Sequence, residues 1–107
     1  MVINQYSIVL VNLDPTVGSV IQKTRPCVVI SPDEMNRHLD TIVLAPMTSS
    51  QKRYPTRVPV EHEREKGMIV IDQIRTVDKV RILKVLGKLT KSEIRSCKEV
   101  IRETFVD

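Results

Sequence analysis

Within the stretch QKTRPCVVI (residues 22–30), Arg25 and Pro26 set a guanidinium at the mouth of a short apolar run. The residue before a proline is held extended, so Arg25 stands just where Val28, Val29 and Ile30 begin to read as a strand. A guanidinium carries a planar fork of donors and stays charged at any working pH, which suits it to phosphate. Taken alone, an arginine at such a position is more often a surface cation. The segment leading into it, LDPTVGSVIQKT (residues 13–24), holds turn formers at Asp14-Pro15 and Gly18-Ser19 and then a polar, basic stretch. In a chain this short, an irregular segment of that length usually serves function or is mobile.

The rest of the sequence narrows what Arg25 could serve. The 107 residues predict one small domain over 1–107, with 41% apolar and 28% charged residues, an ordinary soluble globular composition. A net charge of +4 favours acidic or phosphate-bearing partners if the cations cluster, and means no more than solubility if they do not. Tyr6, Tyr54 and Phe105 are the only aromatic residues of the Phe, Trp and Tyr set, too few for a platform that stacks several bases. Cys27 and Cys97 stand seventy positions apart, and with His38 and His62 they give no zinc-ligand spacing, so neither metal nor cofactor is expected. The opening MVINQYSIVLVNLDP has no basic leader and no apolar run long enough for a signal core or a membrane span, which predicts a cytoplasmic protein.

Five short runs rich in Val and Ile predict strands: residues 6–12, 26–30, 41–45, 56–60 and 68–72. Together they predict a compact, curled antiparallel sheet or barrel. Pro59 cannot donate to a ladder, so the fourth strand is expected at an edge or a bulge. The C-terminal LTKSEIRSCKEVIRETF predicts a helix with Thr90 as N-cap, Glu93 completing a capping box, and Leu89 and Ile94 as a hydrophobic staple. Ile94, Cys97, Ile101 and Phe105 form one apolar stripe that should pack on the sheet. The run EHEREKG (residues 61–67) reads as a solvated turn ahead of the fifth strand.

Four blocks, DPTVGSVIQKTRPCVVIS (14–31), NRHLDTIVLAPMTSS (36–50), YPTRVPV (54–60) and IDQIRTVDK (71–79), resemble in order and spacing the MazF/PemK toxins of bacterial toxin–antitoxin systems. The resemblance covers residues 8 to 90, and it is the joint spacing of the blocks that carries it, since DP, RP and TS are common pairs. Where that family often opens its first strand with Gly and an acidic residue, this chain has Tyr6-Ser7. The resemblance implies a mainly β fold, an SH3-like β-barrel of the MazF/PemK/CcdB type with a C-terminal helix, usually a homodimer. It implies a metal-independent, sequence-selective endoribonuclease acting on single-stranded RNA and held inactive by a cognate antitoxin. Arg25 and Thr48 match the catalytic pair, and Ser19, Gln22, Lys23, Ser49, Gln73 and Arg75 fall in the implied RNA-contacting surface.

That implied chemistry makes physical sense. The ribose 2′-hydroxyl can attack the adjacent phosphorus, leaving a 2′,3′-cyclic phosphate and a 5′-hydroxyl, so neither a metal nor a protein nucleophile is needed. The protein must align the attack and offset charge on the phosphorane oxygens. Arg25 suits the second task, and the Thr48 hydroxyl can donate to a non-bridging oxygen or orient the 2′-hydroxyl. Thr48 could equally bond only to backbone in the MTSS turn. Gln73 and Arg75 alternate as if in one strand and would share a face, though Arg75 could simply pair with Asp72 or Asp78. Tyr54 could stack on a base or pack at its strand's start. His38 and His62 belong to the right class for a general base, but neither lies in a matched motif, and the base is left unassigned. Two other readings stay open: a gyrase-poisoning toxin on the same barrel, which has no need of a phosphate-directed pair, and a non-catalytic RNA-binding module.

Overall fold

The computed structural model describes residues 1–13 and 23–106. Ser19 and Gln22, with the expected loop that carries them, lie outside the described residues. Among the described residues seven strands form, β1 (Ser7–Asn12), β2 (Thr24–Val29), β3 (Thr41–Thr48), β4 (Arg57–His62), β5 (Glu65–Val70), β6 (Arg75–Asp78) and β7 (Ile82–Lys88), with helices α1 (Asp33–His38) and α2 (Lys91–Phe105). The pairing order is β4-β5-β3-β2-β1-β7, antiparallel throughout, with β6 also on β3.

Strand β3 curls this sheet. One of its edges pairs with β2, while the other pairs with β6 along residues 41–44 and with β5 at Met47 and Thr48. Changing partner midway turns the sheet into a half-barrel. Its outermost strands come back into contact: the β4 side chain of His62 lies so close to Gly87 of β7 that a Cβ on that glycine would stand 2.6 Å from the ring. The expected five strands all form, and Pro59 does sit on an edge strand, in β4.

Both faces of the central strands are buried, which is why they read as unbroken apolar runs instead of alternating ones. Val9, Val11, Cys27, Val29, Ile42 and Leu44 fill one core. Ile8, Val28, Ala45, Val58, Val60, Ile69 and Ile71 fill a second, closed by Leu89 and by Cys97 of α2. Ile94 and Ile101 pack against this second core as the stripe requires, while Phe105 at the helix end is 57% exposed.

The capping box forms as read. The Glu93 Oε1 atom accepts from the Thr90 backbone N–H at 2.8 Å, and the Thr90 hydroxyl accepts from the Glu93 N–H at 3.3 Å. The other Glu93 oxygen accepts from the backbone N–H of Glu61 at 2.9 Å, tying the helix start to β4. Replacing Thr90 with Ala should cost about 1 kcal/mol, the usual loss for an N-cap, read as a lower midpoint in denaturant melts with an unchanged slope. No helix among the described residues is long and apolar enough to cross a membrane.

Candidate active site

The ladder geometry brings the two residues of the matched pair together. β2 pairs with β3 as far as Cys27 opposite Pro46, and Arg25 and Thr48 lie just beyond that last pair, each two residues on. Both then line one cleft of about 420 Å³, together with Thr24, Ser49, His62, Glu63, Glu65, Lys66 and Gly67. Ile8, Pro26, Met47 and Leu86 give it an apolar floor. The cations Arg25 and Lys66 come from different strands, β2 and β5, so an anion in the cleft can be held from two sides.

Each member of the pair is positioned by its backbone. The buried Cys27 thiol donates to the Arg25 carbonyl at 3.6 Å. Burial pushes that thiol up to about 12, although the Arg25 and Arg75 guanidiniums pull the other way, so Cys27 stays a neutral, structural thiol. Thr48 does bond to its own turn, as its Oγ accepts from the Ser50 N–H at 3.2 Å. That contact uses an acceptor lone pair and leaves the hydroxyl proton to be donated, so the turn orients Thr48 without occupying it. Close approach fixes it from behind: Gly67 of β5 packs against the Thr48 carbonyl, where a Cβ would stand 2.6 Å from the oxygen.

Of the residues expected to contact RNA, Ser49 lines the cleft, while Lys23, Gln73 and Arg75 are exposed outside its lining. Gln73 and Arg75 do not share one strand. Gln73 ends a 3₁₀ turn (Ile71–Gln73), and Arg75 opens β6. In the ladder Arg75 pairs with Leu44 of β3. Asp72 accepts from the Thr56 hydroxyl at 2.8 Å, and Asp78 accepts from the Val80 N–H at 3.0 Å, so these carboxylates have partners other than Arg75. The exposed Tyr54 ring carries the Arg57 guanidinium 4.7 Å from its centroid.

The run EHEREKG is not merely a solvated turn. Glu63 and Arg64 form a tight hairpin, both with positive φ (51° and 69°), and the residues on either side become the far wall of the cleft. One sequence signal does point there. Val58 and Val60 alternate inward with Pro59 and Glu61 outward, and the same period places His62 on the inner face.

A half-barrel that brings an arginine and a threonine hydroxyl into one cleft defines the class: a small, mainly β protein with a cation-bearing cleft. Among the described residues no cluster of three or more His, Cys, Asp or Glu could hold a metal ion. The family model for PemK-like, MazF-like toxins of type II toxin–antitoxin systems matches residues 4–105. A Staphylococcus epidermidis protein, endoribonuclease MazF, is 32% identical over 98 residues, covering 86% of this chain and 82% of that one. Among solved structures, a MazE–MazF complex from Deinococcus radiodurans superimposes with a TM-score of 0.82 at 24% identity, over 96% of this chain and 95% of that one. The Mycobacterium tuberculosis toxin MazF-mt6 does so at 0.78 and 22% identity, over 92% and 95%. The chain belongs to the PemK-like, MazF-like family of type II toxins.

Proposed function

We propose that this toxin cleaves single-stranded RNA, mRNA above all, by 2′-hydroxyl attack without a metal, leaving a 2′,3′-cyclic phosphate and a 5′-hydroxyl. Family membership makes it the endoribonuclease of a toxin–antitoxin pair. The observation that carries the mechanism is the convergence of Arg25 and Thr48, from different strands, on one cleft. In this reading Arg25 offsets charge on the phosphorane oxygens, and Thr48 donates to a non-bridging oxygen or aligns the 2′-hydroxyl. Ser19, Gln22, Lys23, Ser49, Gln73 and Arg75 contact the RNA on either side of the cut, and base-specific contacts among them give sequence selectivity.

The working form is a homodimer of one toxin domain spanning 1–107, acting in the cytoplasm where its substrate is. Its regulator is a cognate antitoxin, and the relatives solved with theirs, from Deinococcus radiodurans and a mycobacterial species, support that partner. An acidic segment of the antitoxin would compete with RNA phosphates for Arg25 and Lys66.

The mechanism is tested by a single 2′-deoxy substitution 5′ of a mapped cut. That oligonucleotide should bind within a few-fold of the all-RNA strand and remain uncut. Cleavage at the deoxy position would refute 2′-hydroxyl attack.

A further inference from the structure

We infer that His62 is the proton acceptor of the cleavage step, an inference that rests on the nuclease reading above. The two histidines separate in the structure. His38 closes α1 at the surface, whereas His62 ends β4 on its inward face and lines the cleft with Arg25 and Thr48. Imidazole is the one side-chain type among the described cleft residues that ordinarily exchanges protons near neutral pH. Its ring is held in place against Gly87, where a Cβ would clash with Cε1.

The Nε2 atom is closed from solvent and has no hydrogen-bond partner among the described residues. A buried ring nitrogen left without a partner is costly, and such orphans call for an explanation in function. The Glu63 carboxylate stands 3.9 Å from it, too far for a hydrogen bond, on a side chain 81% exposed. A phosphate of like charge entering the cleft would push this carboxylate aside and bring the 2′-hydroxyl to Nε2.

In that step the 2′-hydroxyl proton passes to Nε2 as the 2′-oxygen bonds to phosphorus. The P–O5′ bond breaks, its electron pair leaves with the 5′-oxygen, and water protonates that oxygen. The hydroxide so formed takes the proton back from the imidazolium. The charged groups around the ring are Glu63 on its own turn, Glu65 directly opposite on β5, Lys66 beside it and Arg25 from β2. β3 offers the uncharged Thr48 and Ser49, and β7 offers Leu86 and Gly87, while the nearest charge anchored from α2 is Glu93, bonded to the Glu61 N–H.

The test is single-turnover cleavage of one defined RNA from about pH 5 to 9 by the wild type, His62→Gln and His38→Gln. The wild-type rate should rise with unit slope and bend to a plateau once the proton acceptor is fully deprotonated. His62→Gln should be slower by about a hundredfold or more and lose the bend, with His38→Gln matching the wild type. A bend that survives in His62→Gln, or a rate near wild type, would overturn the assignment. So would a wild-type profile without that bend, whether or not the variant folds. Failure of the wild type to cut RNA at any pH would instead remove the nuclease reading itself, and this inference with it.

Discussion

Arg25→Ala should cut RNA about a hundred- to a thousandfold more slowly than the wild type, the loss typical of removing one preorganised donor to a developing oxyanion. The expectation rests on place as well as residue type. Arg25 is exposed on β2 and lines, with Thr48, a cleft with an apolar floor where a charge acts more strongly than in water. Its guanidinium makes no ion pair among the described residues, so the change removes no internal partner and the melting curve should barely move. Arg25→Lys should recover only part of the rate, because an ammonium supplies charge without the two-pronged geometry. The check is to measure cleavage rate and thermal unfolding on the same preparations. An Arg25→Ala protein that melts normally and cuts at the wild-type rate would remove Arg25 from the mechanism.

Gly67→Ala should damage both stability and rate. Within a strand, alanine ordinarily gains about 0.4–1 kcal/mol over glycine through the unfolded state. Here the added Cβ would stand 2.6 Å from the Thr48 carbonyl oxygen, a backbone atom that cannot turn away. Overpacking of this kind costs about 1–3 kcal/mol, so the clash outweighs the gain and the net change is destabilising. Relief comes from shifting the end of β3, which displaces Thr48 within the cleft it shares with Arg25. A displacement near one ångström costs on the order of a hundredfold in rate. Unfolding midpoints and single-turnover rates measured together decide it. A variant as stable and as fast as the wild type would show that the contact does not position Thr48.

Much of this architecture was legible in the sequence because its signals are local. The runs of β1, β2 and β3 stand out because burial on both faces makes them continuously apolar, and the capping box of α2 is a three-residue pattern with its own geometry. What was missed lacks such signals. α1 spans six residues, too few for a helical period to show, and its N-cap, Pro32, offers no capping side chain. β6 has four residues and buries only Val77, and β7 exposes Leu83, Lys84 and Val85 in succession, which hides its alternation.

The candidate site divides the same way. Arg25 and Thr48 could be singled out because they sit in motif-bearing blocks, but the cleft they share is completed by β4 and β5, whose register against them is not written in either block. The β4–β5 wall was hidden because Glu and Arg replace the usual Asn-Gly at its turn, so a tight hairpin with two positive φ values reads as a charged surface run. Gly67 was the overlooked clue, a glycine at a strand position where another backbone comes close.

The most direct measurement is to incubate the purified protein with a long single-stranded RNA in excess EDTA, beside Arg25→Ala, and to map the new ends. Discrete cuts bearing 5′-hydroxyl ends, made by the wild type and nearly absent from the variant, are the predicted result. Intact RNA under EDTA, with cutting restored by a divalent metal, would contradict the account.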